Sequence, residues 1–287
     1  MYLVFDIGGT KMRLAISPDG INLNQPVMID TPQTFEEGMS KFEEMYKSVN
    51  QGITLKRAAG GMTGVFSRRR HELLMSPHLP EWSGHPVKNR LEEITGVEVL
   101  FENDTAMVGL GEALSGAGRG YDIVAYITIS TGVGGSRIIK GRIDVSTMNF
   151  EPGHQIIDAD GSMMPNAKAF EDGESLGHWE SMISGTSMQD RYNMHPSQIV
   201  DEGIWKDQAR YVAFGLNNVI VHWSPDVVVL GGGMMKSPGL KVEDIKTHLD
   251  TILKIYPVRP DLKKAELGDF GGLYGALKYL QMLEANV

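Results

Sequence analysis

Two stretches of this chain are written in the same way. Residues 2–5 form an apolar run of strand formers that stops at Asp6-Ile7-Gly8-Gly9-Thr10, and a second apolar stretch, residues 12–17, follows at once. Residues 123–130 repeat the logic with a β-branched run. A small-residue turn, Thr131-Gly132-Val133-Gly134-Gly135, comes next, and a returning strand covers 137–140. Strand, glycine turn and strand read as a hairpin. A dinucleotide fold needs a helix after its glycines, and the turn at Ser17-Pro18-Asp19-Gly20 arrives too early for one. The repetition is one of architecture and not of sequence, and it predicts a duplicated fold.

The remaining segments fit that frame. Phe35, Met39, Phe42, Met45, Tyr46 and Val49 recur at helical spacing, and Thr34 with Glu37 forms a capping box, so a helix is expected over 34–50. Short strands are expected over 55–59, running into Gly60-Gly61-Met62-Thr63-Gly64, and over 97–101, ending at Glu102-Asn103-Asp104. Residues 106–114 have helical character. Later, helices are expected over 207–223, 242–253 and 273–283, with a buried strand over 226–230 closed by Gly231-Gly232-Gly233. Alternating strands and helices make the class α/β.

Three glycine turns therefore follow apolar strands. Glycine lets backbone N–H groups approach a phosphate with no Cβ in the way. Thr10 and Thr131 add hydroxyl donors, and Asp6 is placed to hold Mg²⁺ through water, because that ion keeps part of its water shell. A glycine pair after one strand is most often only a turn; three at strand ends, one carrying Asp and Thr, point to a phosphorylated ligand. No Walker A or G-x-G-x-x-G pattern is present.

Composition narrows the partners. Lys plus Arg is 27 against 36 for Asp plus Glu, a net charge of −9. That balance argues against nucleic acid and anionic membrane surfaces as partners. The absence of cysteine excludes disulfides, thiolate metal sites and a cysteine nucleophile. No apolar run approaches the roughly 20 residues that span a bilayer, and MYLVFD carries no secretory pattern, so a cytoplasmic location is expected. The short basic run Arg68-Arg69-Arg70 reads as a solvated turn.

The ordered motifs resemble the ROK family of repressors, open reading frames and kinases. Asp6-Ile7-Gly8-Gly9-Thr10-Lys11 resembles its first phosphate loop, and Thr128 to Gly135 its second. Ser76-Pro77-His78-Leu79-Pro80-Glu81-Trp82 is similar to the family's "SPNLPGW", and Glu102-Asn103-Asp104 to "END". Glu151-Pro152-Gly153-His154 is similar to "EIGH", Val229 to Gly233 to the adenosine-site turn, and Leu267 to Ala276 to the closing segment.

The resemblance implies a two-lobed actin-like ATPase, ribonuclease H-like fold with duplicated mixed sheets. It implies a small lobe over residues 1–105 and a large lobe over 106–287, with the last helix packing back on the first lobe. The implied activity is ATP-dependent phosphorylation of a hexose such as glucose, with Asp104 as the base. Gly64, Asn103, Asp104, Glu151, His154 and Glu180 are expected to bind the sugar. Asp6, Gly8, Gly9, Thr10, Lys11, Thr131, Gly132, Gly231 and Gly232 are expected to surround ATP and Mg²⁺. A homodimer is the family expectation. In isolation Asp104 would read as a helix N-cap; at a helix N-terminus the dipole is expected to keep it ionised.

The pattern fails at one place. Most relatives hold a structural zinc with three cysteines and the His of "EIGH", and here Glu171, Gly173 and His178 stand at the cysteine positions. Either the metal is lost and packing holds the loop, or His154, His178 and Glu171 form a substitute site. Loss is the expectation, since three-ligand structural sites are uncommon. The chain is also longer than the pattern over 162–170, and Asn149 and Phe150 replace small residues before the Glu. Two other functions compete: a sugar-binding sensor without activity, and a repressor, which is not expected because the first strand starts at residue 2 and the charge is acidic.

Overall fold

The computed structural model describes residues 1–50, 52, 54–67, 73–163 and 177–285. The run Arg68-Arg69-Arg70, the candidate ligand Glu171, Gly173 and residues 164–170 of the longer segment lie outside the described residues. The chain divides into two compact units. Unit 1 holds residues 1–115, 143–149 and 269–287, and unit 2 holds 116–142 and 150–268. The expected division after residue 105 falls inside a helix that stays whole in unit 1.

Unit 1 is built on five strands, β1 (Tyr2–Ile7), β2 (Lys11–Ser17), β3 (Val27–Asp30), β4 (Arg57–Met62) and β7 (Val99–Asn103), in the order β3-β2-β1-β4-β7. The hairpin β1–β2 is antiparallel, as its glycine turn predicts, while β4 and β7 run parallel to β1. Between β4 and β7 lie a two-stranded ribbon, β5 (Val65–Phe66) with β6 (Leu73–Met75), and helix α2 (Val87–Thr95). Helices α1 (Phe35–Asn50), α3 (Asp104–Ser115) and α8 (Gly271–Ala285) complete the unit. Phe42 of α1 meets Phe5 edge to face at 5.6 Å. Trp82 lies fully buried over Gly38, where a Cβ would stand 2.0 Å from its ring. That approach needs glycine.

Gly60 and Gly61, which the strand expected over 55–59 runs into, sit inside β4. A Cβ on Gly60 would collide with Phe5, so β4 packs beside β1 only because this residue has none. Helices α3 and α8 are also closer than side chains allow. A Cβ on Gly275 would stand 1.8 Å from the Met107 carbonyl oxygen, and one on Gly111 2.4 Å from that of Gly271.

Unit 2 repeats the sheet: β8 (Ile123–Ile129), β9 (Val133–Ile139), β10 (Arg142–Ile143), β11 (Val227–Gly231) and β12 (Asp261–Lys264), in the order β10-β9-β8-β11-β12. Again a hairpin, β8–β9, is followed by parallel partners. The duplication inferred from sequence is thus one of strand order and direction. Helices α4 (Trp179–Ile183), α5 (Gly185–Tyr192), α6 (Glu202–Trp223) and α7 (Val242–Ile252) belong to this unit. Helix α6 begins five residues before the sequence pattern shows it, because Asp201 accepts from the Gly203 N–H and caps it. Among the described residues, no helix is long and apolar enough to cross a membrane.

Candidate active site

In unit 1 the candidate residues gather at the carboxyl ends of the parallel strands, where open α/β sheets bind ligands. The register sets Asp6 opposite Gly61, and Gly61 opposite Glu102. The loop Gly8-Gly9-Thr10 is held from one side. The Gly8 N–H donates to the Lys11 carbonyl at 3.0 Å, and Thr31 gives its hydroxyl to the Gly8 carbonyl at 2.7 Å and its N–H to that of Thr10 at 3.0 Å. Lys11 pairs with exposed Asp30.

Asp6 is buried, 7% exposed. Burial pushes its pKa up to about 7, offset in part by Arg13 and reinforced by the charge of Asp104. Arg13 Nη1 donates to Asp6 Oδ2 at 2.9 Å. The N-terminus of α8 closes on the same carboxylate, since a Cβ on Gly272 would stand 2.9 Å from Asp6 Cγ.

Asp104 opens α3, but it is not the cap. The Asn103 Oδ1 accepts the Ala106 N–H at 3.2 Å, and Asp104 Oδ1 accepts that of Thr105 at 2.8 Å. Gly61 makes room for this helix start, because a Cβ there would lie 3.0 Å from Asp104 Cα and 3.4 Å from Asp6 Oδ1. The sequence expectation was a carboxylate favoured by the helix dipole. The crowding of neighbouring atoms works against it and wins, so the pKa of Asp104 is raised, with Thr105 and the positive charge of His78 pulling the other way. His78 lies against Gly9, where a Cβ would stand 2.4 Å from its own. In the sequence His78 stands only as part of a motif, at the place where the pattern carries Asn, and that departure is the available signal.

The Gly64 carbonyl, at a φ of +120° that favours glycine, accepts from Asn103 Nδ2 at 3.5 Å and from Asn149 Nδ2 at 3.4 Å. In the sequence Asn149 stands out for its bulk and not for this contact.

In unit 2 the second glycine turn is tighter than expected. Gly134 and Gly135 fall inside β9, and the Ser130 N–H donates to the Gly132 carbonyl at 2.8 Å. Glu180, expected on the sugar, accepts the Val133 N–H at 2.6 Å and lies 2.7 Å from where a Cβ on Gly132 would stand. The carbonyl of Thr131 accepts the Thr186 hydroxyl at 2.9 Å. Gly231 ends β11, and Gly232, at a φ of +93°, passes so close to the Ile129 backbone that a Cβ would lie 2.2 Å from its oxygen.

Glu151 precedes a single 3₁₀ turn, Pro152–His154. His154 meets His178 edge to face at 5.6 Å. Among the described residues, no group of three or more His, Asp or Glu is arranged to hold a metal. Protein contacts tie this loop. Ile156 bridges to His178, the Trp179 N–H donates to Gln155, and buried Trp179 sits on Gly215 with its indole N–H on the Tyr211 carbonyl at 3.0 Å.

The profile of the ROK family matches residues 2–282. The chain belongs to the ROK family. Among curated ROK relatives, it is 26% identical over 311 residues to the N-acetylgalactosamine kinase AgaK of Shewanella sp. (strain ANA-3), covering 100% of this chain and 99% of that one. It is also 26% identical to the glucokinase of Streptomyces coelicolor, with 94% of each chain covered. Among solved structures, the ROK hexokinase from Thermus thermophilus matches with a TM-score of 0.80 at 27% identity, over 99% of both chains. The fold is the actin-like ATPase fold with duplicated mixed sheets that the resemblance implied.

Proposed function

We propose that this ROK-family sugar kinase transfers the γ-phosphoryl group of ATP to the 6-hydroxyl of a hexose, with Asp104 as the base. The observation that carries the reading is Asp104 itself. It stands at the start of α3, beside Gly61 and near Asp6, with its basicity raised by crowding. A carboxylate of raised pKa is a better proton acceptor than an ordinary one.

The step balances simply. The hexose hydroxyl gives its proton to Asp104 as its oxygen bonds to the γ-phosphorus, and the bond from that phosphorus to the bridging oxygen breaks, leaving ADP with the electron pair. Such a transfer asks the protein for positioning and charge neutralisation. Asn103, Gly64, Glu151, His154 and Glu180 are assigned to the sugar. Gly8, Gly9, Thr10, Lys11, Thr131 and Gly132 are assigned to the phosphates, and Gly231 and Gly232 to the adenosine end.

Magnesium fits Asp6. Burial in excess of what Arg13 offsets leaves this carboxylate short of positive charge, and a hydrated divalent cation supplies it. Asp6 would hold the ion through water, and bound Mg²⁺ would neutralise phosphate charge.

The relatives support a hexose-class acceptor, glucose or an N-acetylated hexosamine, without choosing between them. ADP release measured with ATP, Mg²⁺ and a dozen hexoses tests the reading. Turnover with at least one is expected; ADP release that no hexose stimulates would remove it.

A further inference from the structure

A cavity of about 300 Å³ opens in unit 1 next to Gly64. Its walls come from β5, with Val65 and Phe66, and from the segment Ser146-Thr147-Met148-Asn149. The two walls meet at one carbonyl. Gly64 directly precedes β5, and its oxygen takes both the Asn103 amide, which the kinase reading puts on the acceptor, and the Asn149 amide. Asn149 holds a left-handed backbone, φ +30°, which Asn tolerates better than most residues do.

The lining names the chemistry. The described lining carries hydroxyls, an amide and apolar side chains. Ser146, Thr147 and Asn149 offer hydroxyls and an amide, while Val65 and Met148 offer apolar contact. Hydroxyl groups around an apolar ring face are the pattern of a carbohydrate. Size decides between substituents. At about 30 Å³ for each water-sized group, the space takes roughly ten such groups, the bulk of a further sugar ring. An acetamido group would fill a fraction of it.

We propose that this cavity is a subsite for a second sugar ring carried by the acceptor, so that the chain accepts a disaccharide or a glycoside in preference to a free hexose. Asn149 orients that ring through the carbonyl it shares with Asn103. The proposal rests on the sugar-kinase reading.

Two measurements on the full chain test it. Calorimetric titration without ATP compares glucose, maltose and cellobiose, and ADP release compares their kcat/KM. One disaccharide is expected to bind at least tenfold more tightly than glucose. Thr147 is exposed, so Thr147→Trp fills the cavity from a position that tolerates bulk. It is expected to lower the ratio of disaccharide to glucose affinity at least tenfold, with Ser146→Trp as the second variant and thermal melting as the check that each folds. Equal or weaker disaccharide binding, or a ratio that neither folded variant moves, overturns the subsite. ADP release that no sugar stimulates, with the binding ratio intact, would instead remove the kinase reading and leave the subsite standing.

Discussion

Replacing Gly275 by Ala puts two rules in opposition. Alanine is the better helix former by about 1 kcal/mol, so propensity alone predicts a more stable α8. The packing predicts the reverse. The new methyl would lie 1.8 Å from the Met107 carbonyl oxygen, where real Cβ atoms essentially never come within 3.0 Å. The obstacle is backbone, so no side chain can swing away, and α8 and α3 must part by more than 1 Å. Overpacking of this kind costs about 1–3 kcal/mol, occasionally more, and two rigid backbones put it at the upper end. After the gain in propensity, a net loss of about 2 kcal/mol remains, or about 4–8 °C in Tm for a chain approaching this size. The shift also reaches chemistry, because α3 carries Asp104 at its first turn and α8 presses Gly272 on Asp6. Thermal melting by circular dichroism, with partly exposed Tyr274→Ala on the same helix as the control, gives the answer. A Gly275→Ala variant melting at or above the wild type would refute the reasoning.

Two further changes probe the charges around the candidate base. Arg13→Met removes the partner that keeps Asp6 titrating as low as about 7, so its carboxyl stays protonated to higher pH, and the loss of stability in chemical denaturation, small at pH 6, should grow as pH rises above 7; a loss that does not grow with pH would mean that the pair does not compensate the burial. His78→Ala removes a positive charge that lowers the Asp104 pKa, so the pKa of the base rises. Because the base works ionised, the acid limb of the kcat/KM profile should move to higher pH, and a limb that stays in place would separate His78 from Asp104.

What could be read without a structure was the part carried by local rules. The β1 and β8 hairpins announce themselves because an apolar run ends at glycines and resumes, and α1 because Phe35, Met39 and Phe42 share one face. The strand expected over 55–59 runs on through Gly60 and Gly61 for a physical reason: glycine there serves close approach inside the strand, set by Phe5 and by the start of α3. The strand β12, Asp-Leu-Lys-Lys at a sheet edge, has no hydrophobic alternation to reveal it. In the candidate site, Asp6, Asn103 and Asp104 were visible as motif residues. The roles of Asn149 on Gly64 and of Glu180 on the Val133 N–H depend on contacts between distant segments, which no local pattern encodes.

The central claim is that the Asp104 carboxylate accepts the proton of the attacking hydroxyl. Asp104→Asn keeps the shape and removes the acceptor. With the best hexose and saturating ATP and Mg²⁺, kcat should fall by roughly 10²–10⁴-fold, while sugar affinity measured by calorimetry stays within a few-fold of the wild type. A variant that turns over at the wild-type rate would contradict the account.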